Sequence, residues 1–574
     1  MDHHTFGCKA VASTHTAEFG DVQIPRSYKE AVTSRHSSYW KEAISKEVGG
    51  LVGLKTWEYV PLASLPPEAN IMQCHFIFAV KRKSDGSIEK FKARLVANGN
   101  TQKAGVDFDA IFAAVVRLST VRMVLAMACQ LGYNITSTDV RQAYLQAELS
   151  GERKSLYMRV PPGLPREIEG RPAVCKLLRS LYGLKQAGRE WNKLFVTFLL
   201  GYGFTRSTID TCLFVLVNQG VTMWVLVYVD DLLIVDNNTK ARNLFVGALN
   251  TRFPTEDKGD IEWFLGIKIS RDRRSGTITL SQKLYVEDVV QRFAPFIRTG
   301  HCRSYVTPME EGIDLSDAPR PAPGTREAAA LSEAAKTYHS VVGSILWLAN
   351  VTRFDVSYAA SQLSKYMSDP APAHISAAVR VLVYLSNTAG RSLTYTPRDL
   401  PLQGLTDSSW TSNFSVSGSM VFFRGCLVSW FAKGQKSVSL SSAEAEIFGS
   451  MLCAKNVVFH RDLALELGES PRGPTTIFTD NKAVVDMSLD PVAFKRTQHI
   501  LRSANFLRDL VARGVVELLH IPGAQNAADV FTKAQGRAAF LESLRVADNW
   551  AELAGGFQSG YSGARARAPS APSE

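Results

Sequence analysis

The chain has 574 residues, of which 45% are hydrophobic and 21% charged, the balance of a globular protein with several domains. A net charge of +11 favours a polyanionic partner, usually nucleic acid, although a generic basic surface would give the same total. The eight cysteines form no CxxC pair, and neither a secretory signal nor a membrane-length apolar run is visible. These features argue against a secreted, zinc-ribbon or membrane protein.

The first half of the chain alternates short strands and helices. Residues 1–24 are polar and are expected to be disordered or a leftover linker, and a helical pattern follows from Pro25. Residues 71–83 and IEKFKARLVANG predict two strands joined by the turn SDGS, which makes a hairpin with a basic flank. Residues 118–132 predict a helix and NITSTDV a strand, after which 175–201 contain a further helix.

The second half divides at a segment rich in Pro and Ala. Before it, residues 211–218 and 222–235 predict strands, and 263–271 with 277–281 predict a hairpin. Residues 310–334 are expected to be a linker. A helical segment over 335–390 and an α/β unit over 402–535 follow, and the tail from Gly555 is of low complexity and expected to be disordered.

Two adjacent aspartates, Asp230 and Asp231, interrupt the apolar segment WVLVYVDDLLIV. An isolated buried carboxylate is costly to ionise, so such charges are usually paired or metal-bound. Asp139 in NITSTDVRQAY also ends an apolar strand. Carboxylates that converge from separate strands can hold two Mg²⁺ ions, which stabilise the attacking and leaving oxygens of a phosphoryl transfer. The alternative is an ordinary hairpin turn, where aspartate is common.

A second acidic set lies near the C-terminus. It comprises Asp407 in GLTDSSW, Glu444 in SLSSAEAEI after the N-cap candidate Ser442, Asp480 in TIFTDNKA and Asp529 in IPGAQNAADVFTK. Strands and helix starts supply these carboxylates, which again suggests a two-metal phosphodiester site. The alternative for Glu444 and Glu446 is a solvated first turn of a helix.

Ten stretches between about residues 38 and 310 resemble, in order, the reverse transcriptase of copia-type long-terminal-repeat retrotransposons. They are KTWEYVP, KRKSDGSIEKFKARLVANG, FAAVVRLSTVR, STDVRQAYLQAEL, LYMRVPPG, CKLLRSLYGLKQAGREW, DTCLF, YVDD, FLGIKI and TPME. TDSSW, VSWFAKGQKSVSLSSAEAE, TDNKAV, KRTQHILRSANFLRD and LLHIPGAQNAADVFTK resemble the RNase H domain that follows this polymerase. Residues 335–390 match the connecting region, and the resemblance covers about residues 25 to 540.

The resemblance implies roles for residues of the polymerase segment. Asp139, Asp230 and Asp231 match the metal-binding catalytic residues. Lys92 and Arg94 match the fingers strand that grips the incoming triphosphate, with Arg94 the better candidate; the alternative is a solvated edge strand.

Further substrate contacts are implied on the same basis. Tyr144 matches the aromatic gate that selects deoxynucleotides, although a core aromatic is the alternative. A primer-positioning hairpin is matched by Trp263, Phe264, Leu265 and Gly266, whose aromatics could equally be core residues. The remaining candidates for nascent base pair and template are Tyr182, Gly183, Lys185 and Tyr228.

For the RNase H segment the resemblance implies that Asp407, Glu444, Asp480 and Asp529 bind Mg²⁺. His520 matches a position suited to proton or product handling, against the alternative of a hydrogen-bonded surface histidine. The candidates for phosphate contacts in the hybrid channel are Lys495, Arg496 and His499.

Several positions depart from the family pattern. The family often has Lys-Gly where this chain has Asn98-Gly99, and Asn-Gly where it has Gln146-Ala147. It usually has proline at the positions of Ala114, Gly188 and Phe354. The loss of proline loosens turns without removing chemical groups. The departures are compatible with an active enzyme and with a drifting genomic copy.

The expected fold class is α+β: a right-hand polymerase of fingers, palm and thumb, a helical connection and an α/β RNase H-like domain. The expected divisions are 25–309 reverse transcriptase, 310–334 linker, 335–400 connection, 401–540 RNase H-like domain and 541–574 a largely disordered tail. No zinc knuckle, protease or integrase motif is visible. We therefore expect a polymerase–RNase H fragment, a processed product or a truncated insertion.

The implied function is RNA-directed DNA polymerase with RNase H activity, using two Mg²⁺ ions per active site, or Mn²⁺ in their place. The implied partners are an RNA template, a DNA primer, the RNA–DNA hybrid and deoxynucleoside triphosphates, with integrase and capsid proteins of the same element as further candidates and no membrane. A cytoplasmic virus-like particle or the nucleus is the expected location. The alternatives are a nucleic-acid-binding remnant and RNase H alone. Carboxylates at all seven positions argue against the remnant, because their loss would favour binding to a polyanion.

Overall fold

The computed structural model describes residues 22–82, 88–149, 155–297, 304–410, 415–436, 438–489 and 501–554. The SDGS turn, the tail from Gly555 and nearly all of the N-terminal segment lie outside these ranges. The helices are α1 (Tyr28–Thr33), α2 (Ser37–Gly53), α3 (Leu118–Leu131), α4 (Ala143–Gln146), α5 (Ala187–Tyr202), α6 (Thr239–Arg252), α7 (Lys283–Arg292), α8 (Ala294–Ile297), α9 (Arg326–Val351), α10 (Ser357–Ser364), α11 (Pro372–Asn387), α12 (Ser442–Glu466), α13 (Lys482–Leu489), α14 (Leu501–Ala512) and α15 (Arg537–Asp548).

The strands are β1 (Trp57–Pro61), β2 (Ile71–Met72), β3 (Cys74–Arg82), β4 (Ile88–Ala97), β5 (Asn134–Val140), β6 (Leu156–Arg159), β7 (Glu167–Ile168), β8 (Arg171–Leu177), β9 (Thr205–Arg206), β10 (Leu213–Asn218), β11 (Val221–Tyr228), β12 (Asp231–Asp236), β13 (Thr255–Asp260), β14 (Trp263–Phe264), β15 (Ile267–Asp272), β16 (Thr277–Ser281), β17 (Leu393–Tyr395), β18 (Gln403–Ser409), β19 (Val416–Phe423), β20 (Cys426–Gly434), β21 (Thr475–Thr479) and β22 (Val516–His520).

The predicted hairpin near the N-terminus is the antiparallel pair β3–β4, in which Phe78 faces Ala93. Helix α2 packs on it through Trp40, whose ring lies edge-on to Phe78 and Phe91 at centroid distances of 5.3 and 4.7 Å. Alternating apolar residues on β4 and a helical apolar stripe on α2 bring about this packing. A neighbouring sheet has the order β1-β8-β6-β2, with β7 on β8.

The two strands that flank the double aspartate lie inside a six-stranded sheet of order β13-β5-β12-β11-β10-β9. Residues 223–227 of β11 and 232–235 of β12 are buried on both faces, which accounts for their unbroken apolar run. Helix α3 ends at Gly132, whose φ of 68° allows its N–H to bond the carbonyls of Ala128 and Cys129. The strand β5 that carries Asp139 follows directly.

The predicted connection consists of α9, α10 and α11. Helix α9 begins at Arg326, inside the segment expected to be a linker, after an N-cap at Thr325. After α11 the chain returns to the hairpin β15–β16, where β17 adds a strand and gives the order β14-β15-β16-β17.

A buried ion pair fixes the centre of the connection. Arg353 and Asp355 are fully buried and lie 2.8 Å apart, and the Tyr384 hydroxyl donates to Asp355 at 2.7 Å. Burial acts to raise the pKa of Asp355, but the charges of Arg353 and Arg391 and the hydrogen bonds lower it to about 2. Phe354, where the family usually has proline, is buried with its ring 6.1 Å from that of Trp430. The departure at this position is therefore accommodated by packing.

The C-terminal α/β unit is a five-stranded sheet of order β20-β19-β18-β21-β22. Strands β18, β19 and β20 are antiparallel neighbours, and β18, β21 and β22 are parallel. This topology is RNase H-like, and the predicted fold class is confirmed. Helix α15 continues to Asp548 and the buried Trp550 stacks on Phe422 at 5.0 Å, so the tail does not begin at residue 541 as expected.

The described chain forms two compact units. One contains residues from 1–115, 139–204 and 247–256, and the other contains residues from 116–138, 205–246 and 257–574. In the second unit, buried Arg122 of α3 donates to the carbonyls of Asn350, Val351 and Val428 and lies 3.9 Å from the Trp430 ring centroid. Segments expected to belong to palm, connection and RNase H domain therefore share a core there, while the predicted domain boundaries stay a prediction.

Among the described helices, none has the length and apolar composition needed to cross a bilayer. The cysteines at positions 74, 129, 175, 212, 426 and 453 are free thiols.

Candidate active sites

The double aspartate lies at a tight hairpin turn. Tyr228 of β11 pairs with Asp231 of β12, so Val229 and Asp230 form a two-residue turn. Val229 has a φ of 58°, a conformation that costs a β-branched residue roughly 1–3 kcal/mol and is typical of functional sites. Both aspartates are half-buried, at the end of the apolar strands and not within them. The two carboxylates therefore lie at the partly exposed turn between the apolar strands.

A cation lies beside Asp231, and the predicted third ligand, Asp139, belongs to the first unit. Lys258 places its Nζ 3.3 Å from Oδ1 of Asp231, with both side chains partly exposed. Asp139 is half-buried near the end of β5, the strand next to β12 in the sheet order.

The fingers candidates Lys92 and Arg94 both lie on β4. Arg94 is exposed and its guanidinium lies 5.2 Å from the centroid of the Tyr182 ring. Lys92 is half-buried, and burial together with Arg94 and two neighbouring lysines lowers its pKa. The strand therefore carries a concentration of positive charge suited to a polyanionic ligand.

Tyr144 and Tyr182 pack against each other, with ring centroids 5.5 Å apart in an edge-on arrangement. Gly183 has a φ of 90°, and a Cβ there would lie 2.1 Å from the carbonyl oxygen of Ala97. Glycine is thus required for the loop to approach the end of β4. Arg94, Tyr144 and Tyr182 form one cluster in the first unit.

Of the other predicted substrate contacts, Lys185 lies in the first unit, and Tyr228, Trp263 and Gly266 lie in the second. Lys185 donates from Nζ to the carbonyl of Gln102 at 3.0 Å and lies 4.8 Å from the Phe108 ring centroid, so it holds a loop. Trp263 of β14 is 43% exposed and Gly266 has a φ of 74° in the β14–β15 turn.

In the second unit Asp407 of β18, Asp480 after β21 and Asp529 before α15 converge. Each offers one carboxylate oxygen, and these three oxygens all lie within 4.8 Å of one another. Asn526 donates to Asp480 at 3.3 Å, and Lys533 lies 2.7 Å from Oδ2 of Asp529.

The fourth acid of this group is Glu446, which is buried. Burial and the charges of Asp407 and Asp480 raise its pKa to about 9. Burial and the charges of Asp529 and Asp480 likewise raise the pKa of Asp407 to about 7, although the Thr532 hydroxyl donates to its Oδ2. Burial also raises the pKa of Asp529, against the effect of Lys533. Four carboxylates concentrated in this way are unfavourable without cations.

The predicted ligand Glu444 lies in the first turn of α12. The N-cap of α12 is Ser441, not Ser442, and its hydroxyl accepts the N–H of Glu444 at 3.2 Å. The Glu444 carboxylate accepts the N–H of Leu440 at 2.6 Å, so it serves the helix N-terminus. Two residues later, a rotation of roughly 200° turns Glu446 to the acidic group.

A signal for Glu446 was present in the sequence. Gly449, Ser450 and Cys453 follow it at helical spacing and are buried on the same face of α12. Gly449 is required there, because a Cβ would lie 2.1 Å from the hydroxyl of Ser408. The stripe of small residues thus marks the face that packs on β18.

His520 ends β22, and its Nε2 lies 3.1 Å from the carbonyl oxygen of Asp480, to which it can donate. It therefore borders the acidic group through the backbone. The predicted phosphate contacts Lys495, Arg496 and His499 lie outside the described residues.

The acidic group fits a divalent cation. Among the described residues, Oδ1 of Asp529 and Oε2 of Glu446 are buried without a hydrogen-bond partner. Hard cations such as Mg²⁺ prefer carboxylate oxygens, and buried charges of one sign are stable when they coordinate metal.

Comparison with known proteins identifies the polymerase segment. Residues 54–311 match the family described as reverse transcriptase (RNA-dependent DNA polymerase). The double-aspartate turn, β4 and the Tyr182 loop all lie within the matched residues.

Similarity to known proteins extends beyond residues 54–311. The chain is 34% identical over 527 residues to the retrovirus-related Pol polyprotein from transposon RE2 of Arabidopsis thaliana, covering 90% of the chain and 34% of the relative. It is 31% identical over 534 residues to the Pol polyprotein from transposon TNT 1-94 of Nicotiana tabacum, covering 92% and 39%. The chain thus spans about a third of the length of these relatives, and the predicted resemblance is confirmed.

Solved structures show a more distant similarity. A structure of the foamy viral protease-reverse transcriptase in complex with dsDNA aligns with a TM-score of 0.44 at 13% identity, covering 84% of this chain and 83% of that one.

Proposed function

We propose that the chain is an RNA-directed DNA polymerase with a ribonuclease H site, derived from a copia-type element. The observation that carries the proposal is the strained turn of the reverse transcriptase domain, which presents Asp230 and Asp231 at the end of two buried strands. The proposed nucleic-acid partners are an RNA template, a DNA primer and the hybrid that they form.

At the polymerase site, Asp139, Asp230 and Asp231 would hold two Mg²⁺ ions. Bound there, the ions would stabilise the attacking and leaving oxygens during transfer of a nucleotidyl group. Arg94 and Lys92 would bind the triphosphate oxygens, because cationic donors favour the charge that develops on phosphate. Tyr144, held by its contact with Tyr182, would restrict the sugar.

At the second site, Asp407, Glu446, Asp480 and Asp529 would hold the ions used to hydrolyse RNA in the hybrid. The two orphaned oxygens and the raised pKa values of Asp407 and Glu446 support a site built for cations. His520, whose Nε2 lies beside the carbonyl of Asp480, would donate a proton or bind product.

The test is extension of a DNA primer on an RNA template with Mg²⁺, followed by RNase H cleavage of a preformed hybrid. Wild type should do both, D230N/D231N should cleave without extending, and E446Q should extend without cleaving. Cleavage of the hybrid without primer extension by the wild type would support the alternative in which the chain has RNase H activity only. Hybrid binding with neither activity would favour the inactive remnant.

A further inference from the structure

Helix α2 carries a carboxylate on its buried face. Trp40, Ile44 and Leu51 are buried and recur at helical spacing. Glu47 falls in the same stripe, three residues after Ile44 and four before Leu51, and its side chain is partly buried. A charged side chain in an apolar stripe is costly unless it has a hydrogen-bond partner.

The partner of Glu47 lies at the edge of β4 that does not pair with β3. One edge of this strand pairs with β3, and alternate N–H groups point to the other edge. There the N–H of Leu95 donates to Oε1 of Glu47 at 3.1 Å, and the N–H of Ala97 donates to the carbonyl of Tyr182 at 2.8 Å. Helix α2 and the Tyr182 loop thus replace the missing strand.

Arg94 directly precedes the first of these two anchors, Leu95. Because side chains alternate along a strand, Leu95 enters the core while Arg94 remains exposed above Tyr182. A shift of β4 at Leu95 would therefore displace the guanidinium directly, and Lys92 two residues earlier with it.

We propose that Glu47 is a positioning residue for the nucleotide: by accepting the Leu95 N–H it fixes β4 so that Arg94 and Lys92 reach the incoming triphosphate. This inference rests on the proposed polymerase function. The contribution comes from the hydrogen-bond acceptor, since the negative charge of Glu47 would itself oppose binding of an anion.

Two substitutions of nearly equal size separate the acceptor from the charge. Glu47→Gln keeps an oxygen that can accept the N–H and removes the charge. Glu47→Met removes both and suits the apolar stripe, so it is expected to fold. Glu42→Gln, exposed on the same helix, is the matched control.

The first measurement is hydrogen exchange of the peptide that contains Leu95, in the full chain. Exchange at Leu95 should be faster in E47M and unchanged in E47Q, with Ala97 as the internal reference. The second is steady-state primer extension. In E47M the KM for the nucleotide should rise about tenfold, equivalent to about 1.4 kcal/mol, with kcat and the KM for template–primer nearly unchanged.

The outcomes separate the possibilities. Extension by wild type with a raised nucleotide KM in E47M alone supports the inference. An equal rise in E47M and E47Q would assign the effect to charge and overturn it, as would a wild-type nucleotide KM in an E47M protein with faster Leu95 exchange. Absence of extension by folded wild type would overturn the proposed function, and this inference with it.

Discussion

The two acidic sites of this chain meet the same electrostatic problem in different ways. At the polymerase turn, Asp230 and Asp231 stay half-exposed, and the structural cost is the positive φ of Val229. At the second site, Asp407 and Glu446 are buried beside other carboxylates, and the cost is desolvation and repulsion. The first site should therefore depend on metal for activity only, whereas the second should depend on metal for stability as well.

The largest expected effect is at the polymerase turn. D230N/D231N should reduce primer extension by at least about a thousandfold, because metal ions contribute several kcal/mol to the transition state and each 1.36 kcal/mol is tenfold in rate. The melting temperature should change little, since both side chains reach solvent. Asp260→Asn, exposed on β13, is the control; comparable loss there would show that the turn is not the site.

The second site distinguishes two neighbouring glutamates. Glu446→Gln should reduce hybrid cleavage by about a hundredfold or more, because it removes a metal ligand. Glu444→Gln should retain cleavage and lose at most about 1 kcal/mol of stability, since glutamine also serves at this helix position. Parallel RNase H assays and chemical denaturation of the two variants measure both effects. Loss of cleavage in E444Q alone would restore the original assignment.

This pair also shows what the sequence could and could not predict. The apolar runs correctly predicted β4 and β5, because those signals are local, whereas the segment 222–235, predicted as one strand, divides into β11 and β12 at the double aspartate. The choice between Glu444 and Glu446 required knowing which face of α12 packs on the sheet. Both residues carry a carboxylate, and only Glu446 lies on the same helical face as the buried residues Gly449, Ser450 and Cys453.

Non-local features were beyond prediction for a different reason. The pairing of Tyr395 with Ile278 joins strands far apart in sequence, and no local pattern encodes that partner. Arg122 lies in an ordinary helical pattern, yet it bonds carbonyls of the connection and of β20. Such contacts depend on tertiary packing, which overrides local propensity.

A smaller effect should appear in the pH dependence of stability without metal. The folded-state pKa values of Asp407, about 7, and Glu446, about 9, lie above the values of about 3.9 and 4.3 in an unfolded chain. The folded state then holds more protons, so stability decreases as pH rises through this range. In EDTA these two carboxyls should lower the free energy of unfolding by about 2–3 kcal/mol between pH 7 and 9, in addition to the decrease from the buried cysteines, whose thiol pKa values burial also raises.

This window lies above the range in which His460 titrates, because burial lowers its pKa to about 4 and the unfolded value is about 6.5. Denaturation at pH 7, 8 and 9 provides the measurement. Glu446→Gln or saturating Mg²⁺ should reduce the slope to the part that the buried cysteines contribute, and D230N/D231N should leave it unchanged. If E446Q showed the same dependence of unfolding free energy on pH as the wild type, the proposed electrostatic difference between the two sites would be wrong.

The smallest expected effect concerns the lysine beside the polymerase turn. Lys258 and Asp231 are each more than 40% exposed, so their ion pair should contribute at most about 1 kcal/mol. Lys258→Met would remove a cation that competes with metal for Asp231, and the Mg²⁺ concentration for half-maximal extension should fall by up to about fivefold. Lys268→Met, exposed on β15 of a different sheet, is the control. A higher Mg²⁺ requirement in K258M would instead mean that Lys258 binds substrate. The polymerase turn would then use a lysine beside its aspartates, as Lys533 lies beside Asp529 at the second site.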